Sequence, residues 1–255
     1  MSENITSALE ILNDADILIT ELEKDISDFF ALSPYKIVVE HNVKTGYDTH
    51  KIKLISEIPG QFRSKVRHIA SDIRSSLDHV AYSAAIATGK KKPRNTYFPF
   101  AKNESEASNI RKNKCRDLPE EIFNVFWSFK PYNGGNNTLY GLNEIANCNK
   151  HRSVVPVGHG LSGGQMMIKF SCDGKCHSIG IPPVWDSVKN EVTLCVVDSA
   201  ANTSYDIQLG FDICFGDIEI LKGQSVLHVL KNLLELSKSI IHTANDEGMR
   251  IGIFK

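Results

Sequence analysis

The chain has 255 residues, of which 42% are hydrophobic and 23% are charged. These are ordinary values for a globular protein, so they exclude a disordered chain and allow a hydrophobic core of normal size. The length fits one large domain or two closely packed subdomains. The formal net charge of -1 at pH 7 excludes a basic field over the whole surface of the kind that attracts nucleic acid.

The sequence gives no sign of a targeting or membrane segment. Its first residues, MSENITSALEIL, lack the basic stretch and the uninterrupted apolar run of a signal peptide. The chain contains no run of about 18 apolar residues, so we expect no membrane-spanning helix and no membrane partner. The six cysteines are scattered along the chain, which is typical of reduced thiols. We therefore expect a cytoplasmic protein.

The first 152 residues are predicted to be mainly helical. Apolar residues at helical spacing, together with Pro and Gly at the boundaries, predict helices over residues 5–30, 60–88, 104–113, 119–127 and 138–152. A β-hairpin is predicted between the first two helices, because the segments YKIVVEH and HKIKLIS flank a turn that contains Gly46. The KKKPRNTYFPF segment is expected to be extended, since its prolines disfavour helix.

Residues 153–255 show a different pattern, with apolar residues at every second position. This alternation predicts four strands, over residues 166–171, 175–181, 191–197 and 205–215, followed by an amphipathic helix over 224–244. We therefore predict a single α+β domain over residues 1–255. Its helix-rich N-terminal half packs with an antiparallel β-sheet and a C-terminal amphipathic helix.

The long helix over residues 60–88 carries polar side chains outside its apolar face. Arg74 and Asp78 lie one turn apart, which favours an intrahelical ion pair over a catalytic pair. His68, Asp72 and His79 share another side of the helix and have suitable metal-ligand chemistry, but a solvent-facing polar stripe is the favoured interpretation. We predict no metal and no cofactor.

The helix over residues 138–152 places polar side chains close to its apolar side. Asn143, Asn147 and Lys150 project there, and a lysine at such a position needs a partner or must extend its ammonium group to water. A buried polar network with Asp72 or Asp78 of the long helix as its partner, and a lysine whose ammonium group reaches water, are two equally favoured interpretations.

The ends of the same helix suggest further functional groups. His151 is a candidate acid or base, and Arg152 adds positive charge beside it. At the other end, the NGGNN segment offers backbone N–H groups to an anion, while Asn136 or Asn137 as a helix cap explains the segment equally well.

The sequence Arg74-Ser-Ser-Leu-Asp-His79 resembles the Arg-x4-His motif of HEPN-type ribonucleases. The resemblance implies metal-independent RNA cleavage at a helical dimer interface, and hence a homodimer. Arg63 and His68 match the same pattern in the same helix. Five residues of continuous helix turn by roughly 140° net, so Arg74 and His79 diverge unless the helix breaks or two copies share the work.

Four short motifs also occur in an order that resembles a widespread family of uncharacterised bacterial proteins. They are RSSLDH, FPF, FKPY and a helix that ends NxxKHR, and they span about residues 67–152. That family carries an aspartate just before the lysine, where this chain has Asn149. The resemblance implies where a site lies and leaves its chemistry open.

These residues lead to two functional hypotheses. The first is metal-independent cleavage of RNA or another phosphodiester, with His79 or His151 as the acid or base, Arg74 and Lys150 stabilising phosphate charge, and Asp78 beside them. Asn143, Asn147, Lys150 and Arg152 would bind the substrate. The alternative is a non-catalytic ligand-binding, partner-binding or sensor module in which the same residues form a structural network.

Charge is distributed unevenly along the chain. Residues 90–116 contain nine lysines and arginines against two glutamates, whereas the first 40 residues are strongly acidic. The basic stretch offers a local surface that could contact phosphates. The favoured interpretation is that it pairs with the acidic N-terminal helix.

Overall fold

The computed structural model describes residues 3–147, 157–159, 167–173, 176–179, 185–186, 189–208, 212–216 and 218–255. Within these ranges the chain forms six α-helices: α1 (Glu3–Ala31), α2 (Gly60–Ala87), α3 (Ala107–Asn113), α4 (Glu120–Ser128), α5 (Asn137–Asn147) and α6 (Val226–Arg250). Single turns of 3-10 helix occupy Glu104–Glu106 and Glu219–Leu221. Each predicted helix occurs within the described residues, although residues 148–152 of the helix predicted over 138–152 lie outside them, and α6 continues to Arg250, beyond the predicted end.

The described strands are β1 (Tyr35–Asn42), β2 (Tyr47–Leu54), β3 (Val157–His159), β4 (Met167–Cys172), β5 (Cys176–Ile179), β6 (Trp185–Asp186), β7 (Glu191–Asp198), β8 (Thr203–Gln208) and β9 (Asp212–Cys214). All their pairings are antiparallel. With the six helices they confirm the predicted α+β class. Strands β3 and β6 were not predicted, because two or three residues are too few to show alternation.

The helices build the hydrophobic core around α2. Helix α1 packs on α2 and α6, while α2 also contacts α5 and α6. Besides its apolar face, α2 buries Ala70, Ser76, Ala81 and Ala85, each of them fully. Small side chains let neighbouring elements approach closely, so α2 is covered on several sides, as its sequence predicts.

The main sheet joins the two halves of the chain. Its strand order is β1-β2-β7-β5, with β6 paired beside β5 on β7. The hairpin of β1 and β2 is therefore confirmed. On its other side, β2 pairs with β7, which comes from the second half of the chain. Ile52 of β2, which is buried, lies opposite both Ile37 of β1 and Val192 of β7.

The strand predicted over residues 205–215 is described in two parts, β8 and β9, and residues 209–211 between them lie outside the described residues. Strand β8 pairs with β4, and β9 pairs with β3. Alternation determines which side chains share a face, but it does not determine the partner strands.

Candidate functional site

Helix α2 places Arg74 and Asp78 one turn apart, and each side chain hydrogen-bonds a different neighbour. The Arg74 guanidinium donates from Nη1 to Oδ1 of Asn147 at 2.7 Å. The Asp78 carboxylate accepts the backbone N–H of Phe98 through Oδ1, also at 2.7 Å. The pair therefore connects α2 to α5 through Arg74 and to the FPF segment through Asp78.

The end of α5 completes a short chain of hydrogen bonds. Asn147 donates from Nδ2 to Oδ1 of Asn143 at 2.8 Å, while its own Oδ1 accepts from Arg74. The guanidinium carbon of Arg74 also lies 5.6 Å from the centre of the Phe100 ring, within cation–π range. These hydrogen bonds join the two helices at exposed or half-buried positions, whereas the predicted network is buried and includes Lys150, which lies outside the described residues; Asn147 has Arg74 as its partner and not Asp72 or Asp78.

Asp78 is held in a partly dry position between α2 and the FPF segment. Burial raises the pKa of the Asp78 carboxyl above its ordinary value, while the Phe98 N–H and the charges of Arg74 and His79 act in the opposite direction. Phe98 and Phe100 are buried, and Phe98 packs on Phe126 of α4 with ring centres 5.0 Å apart. The carboxylate thus fixes the backbone of a segment whose aromatic side chains belong to the core.

His79 lies against a different element from Arg74. Its ring is exposed, and its Nδ1 lies 3.2 Å from Oγ of Ser7 in α1, whereas Arg74 reaches α5. Helix α2 is continuous through both positions, so the two side chains diverge as the helical geometry requires. Within one chain, the Arg-x4-His pair does not converge on a common point.

Three of the predicted site residues lie outside the described residues. These are Lys150, His151 and Arg152. Their proposed roles as phosphate ligand and acid or base stay predictions. At the opposite end of α5, Asn136 accepts the backbone N–H of Leu139 at 3.0 Å, which is the helix-cap interpretation of the NGGNN segment.

A second polar arrangement lies between α1 and α2. His68 and Asp72 line a shallow groove with Asp14 and three apolar residues of α1, and His68 Nε2 lies 3.5 Å from Asp72 Oδ2. His68 and His79 are exposed, as the solvent-facing interpretation predicts. In the described part of the chain, no three His, Cys, Asp or Glu side chains form a group that could hold a metal ion.

Sequence analysis missed a three-residue cluster on the sheet, because its members come from β1, β2 and the turn after β7. His41 Nδ1 and the Ser199 hydroxyl both lie 2.6 Å from Oδ1 of Asp48, and they are 3.0 Å from each other. A Ser-His-Asp triad needs serine and aspartate on opposite ring nitrogens. Here both contact Nδ1, so the cluster does not activate Ser199 and instead ties the hairpin to β7.

The two ends of the basic stretch meet beside the FPF segment. Thr96 forms a β-bridge with Cys115, the Tyr97 N–H donates to the Lys114 carbonyl at 3.1 Å, and the Arg94 N–H donates to Asp117 at 2.9 Å. We call residues 90–97 and 112–117 the basic ribbon. The bridge and the two hydrogen bonds hold its two segments together, and the second segment begins in the last residues of α3.

Side chains alternate between the two faces of the basic ribbon. Thr96 and Cys115 point inward and are buried, and burial raises the pKa of the Cys115 thiol to about 12. Their neighbours Tyr97, Lys114 and Arg116 are exposed on the outer face. The Lys114 ammonium lies 3.4 Å from the Phe100 carbonyl oxygen. Phe100 is also the residue whose ring contacts the Arg74 guanidinium, so Lys114 and Arg74 contact the same residue of the FPF segment.

Most cations of the basic ribbon face solvent without a carboxylate partner. Lys90 and Arg116 share Asp117, at 2.7 and 3.9 Å. Among the described side chains, no carboxylate lies within ion-pair distance of Lys91, Lys92, Arg94 or Lys112, all of which are exposed. The ribbon is therefore a local positive surface on a chain that is nearly neutral overall.

Among the described side chains, no ion pair joins the basic stretch to the acidic N-terminal helix. Carboxylates of α1 pair instead with lysines of the helices that pack on it: Asp25 with Lys65 at 2.6 Å, and Glu23 with Lys231 at 2.7 Å. The packing of α1 against α2 and α6 explains this, because it brings those lysines within reach.

Comparison of the chain with family models, with curated proteins and with solved structures gives no match in any of the three. The resemblances to HEPN-type ribonucleases and to the bacterial family with the four motifs therefore stay predictions. None of the helices within the described ranges is long and apolar enough to cross a membrane.

Proposed function

We propose that this protein binds single-stranded RNA at the basic ribbon, through the phosphates of the strand, and that it acts as a binding module and not as a nuclease. One observation carries the proposal: the two joined segments of the basic ribbon carry exposed cations, most of them without a carboxylate partner among the described residues, together with the exposed side chain of Tyr97. Phosphate contacts supply most of the affinity of sequence-independent RNA binding, and lysine and arginine supply those contacts.

The near-zero net charge of the chain is compatible with this proposal, because phosphates respond to nearby charge. Fields of exposed charges are screened within about 10 Å at 0.1 M salt. Several acidic side chains of α1 are paired with lysines of α2 and α6. A strand lying along the basic ribbon would therefore respond chiefly to the cations of the ribbon itself.

Tyr97 favours a single strand over a duplex. Its side chain is 53% exposed, and its backbone N–H bonds the carbonyl of Lys114. An exposed ring among cations offers a base a face on which to stack, at roughly 1–3 kcal/mol per base. The bases of a duplex are already stacked on one another, so only an unpaired strand gains this contact.

The contacts of the α2–α5 junction support a structural role for the residues first predicted to be catalytic. Arg74 and Asn147 bond to each other, Asp78 bonds to the Phe98 backbone, and His79 faces α1. Cleavage by Arg74 and His79 stays a prediction that requires a second copy of the chain. Cleavage by His151 requires groups outside the described residues.

Fluorescence anisotropy with an end-labelled single-stranded RNA tests the proposal. The variant Lys92→Gln/Arg94→Gln/Arg116→Gln removes three ribbon cations, and Lys24→Gln/Lys44→Gln/Lys222→Gln removes three exposed lysines elsewhere. We expect wild-type binding, an affinity loss of at least about tenfold for the ribbon variant, and a much smaller loss for the control. Equal losses, or no binding by the wild type, would overturn the proposal.

Two further readouts separate binding mode and catalysis. Tyr97→Ala should weaken single-strand binding by roughly five- to 150-fold, Tyr97→Phe should retain it, and neither should alter binding to duplex RNA. A gel of the same RNA after incubation with the wild type should show an intact strand. Cleavage that Arg74→Ala or His79→Ala abolishes would show instead that the protein is a nuclease.

A further inference from the structure

Among the described strands, β1 lies at the edge of the main sheet. Among the described residues its single strand partner is β2, with eight residues in continuous register. Every residue of β1 is exposed or half-buried. An edge strand presents a row of backbone N–H and C=O groups that can accept another strand.

The edge carries the charged Lys36 and Glu40 but lacks the other usual devices that prevent pairing. Strand β1 is long, contains no proline, and pairs with β2 without a bulge. Ile37 and Val39 are 46% and 49% exposed, although they share a face with Ile52 and His50, their buried partners on β2. The apolar face of the sheet thus continues to the edge and is incompletely covered there.

The sequence of β1 is complementary to itself in one antiparallel register. With Val38 opposite Val38 of a second copy, Ile37 lies opposite Val39, and Lys36 lies opposite Glu40. A two-fold axis repeats each of these pairs, so the register gives two apolar pairs and two ion pairs. In antiparallel pairing about such an axis, residues that face each other lie on the same face of the sheet, so the register shifts only by moving its centre to another residue. With the centre at Ile37 or Val39, Lys36 no longer lies opposite Glu40, and both ion pairs are lost.

We propose that β1 of one copy pairs antiparallel with β1 of a second copy, centred on Val38, and joins two main sheets into one. Cross-strand apolar and opposite-charge pairs each stabilise such a ladder, and like charges directly opposite destabilise it. Glu40 already contacts Lys51 through Oε2 at 2.7 Å, and a carboxylate has a second oxygen with which to accept the partner lysine.

Reversing one charge at a time tests both the interface and its register. Lys36→Glu should prevent self-association, because like charges then face each other twice, and Glu40→Lys should do the same. An equal mixture of the two variants should dimerise, since every facing pair is then of opposite charge. Lys44→Glu lies in the hairpin turn outside the register and should behave as the wild type. Sedimentation velocity over a concentration series measures each state.

The fold of the variants is checked by circular dichroism, and we expect Lys36→Glu to fold well because Lys36 lies opposite Lys53 within the chain. Val38→Cys provides an independent measurement. In the proposed register the two thiols face each other at disulfide distance, so mild oxidation should give a covalent dimer, whereas Leu32→Cys should not. A monomeric wild type, or a dimer that persists in both single charge variants, would overturn the proposal.

Discussion

Asp78 is the residue on which the position of the FPF segment most directly depends. Its carboxylate is the acceptor for the Phe98 N–H, in a place where burial raises its pKa. A buried backbone donor without an acceptor costs about 1–3 kcal/mol. The side chain at this position therefore needs an acceptor oxygen more than it needs a charge.

Replacing Asp78 separates these two properties. Asp78→Ala leaves the Phe98 N–H without its acceptor and should lower the free energy of unfolding by about 1–3 kcal/mol. Asp78→Asn keeps an acceptor oxygen and should cost clearly less. Urea unfolding at neutral pH measures both. Equal losses would show that the hydrogen bond to Phe98 does not hold the segment.

The raised pKa of Asp78 also predicts a pH dependence. Between the ordinary value of 3.8 and the higher folded value, the folded state binds more protons at this carboxyl than the unfolded state does. The contribution of Asp78 to stability is therefore fully present below pH 3.8, and it is lost as the pH rises through the pKa of Asp78 in the folded state. The wild type should lose stability relative to Asp78→Asn over that window, measured as the difference between their urea midpoints.

At the scale of elements, Gly141 determines how closely α5 approaches the rest of the core. A β-carbon built at Gly141 would lie 2.8 Å from Cδ1 of Leu221, whose side chain is buried in the neighbouring 3-10 turn. Such a distance is too short for two carbon atoms, so one element would have to shift. Because α5 carries Asn143 and Asn147, this packing also sets the distance from Asn147 to Arg74.

Gly141→Ala should lower stability by about 1–3 kcal/mol, even though alanine is the better helix former. Gly60→Ala is the matched control: it stands at the first residue of α2, has no atom within 4 Å of its built β-carbon, and should be neutral or slightly stabilising. Thermal unfolding compares the two variants. A stabilised Gly141→Ala would contradict the close packing.

The sequence predicts elements well where one periodicity persists for several turns or strands. The long helices and the hairpin follow directly from their apolar spacing. The pairing of β7 with β2 could not be predicted, because it joins residues about 140 positions apart. The alternation of apolar and polar residues indicates a strand, but it does not indicate which strand pairs with it.

The candidate site was predicted in part. The network between α2 and α5 follows from polar residues near an apolar helix face, but its partner was wrong. Asn147 bonds Arg74, since rotation about the helix places Arg74 toward α5, while Asp78 turns to Phe98. The outer face of the basic ribbon depends on the bridge between Thr96 and Cys115, and such a contact between two irregular segments leaves no periodic signal.

At the scale of the whole molecule, the distribution of charge matters more than its sum. Carboxylates of α1 are paired with lysines of the helical core, and the basic ribbon retains cations that face solvent. A chain of net charge -1 can therefore carry one surface suited to a polyanion. The proposed β1 dimer would present two such ribbons, and avidity would then raise the affinity for a strand long enough to reach both.

The dependence of RNA affinity on salt tests the central claim most directly. Each phosphate contact to a single strand contributes about -0.7 to the slope of log K against log salt concentration. Lys92→Gln/Arg94→Gln/Arg116→Gln should therefore make the slope shallower by about 2, while the three-lysine control keeps the wild-type slope. An unchanged slope in the ribbon variant would contradict RNA binding at the basic ribbon.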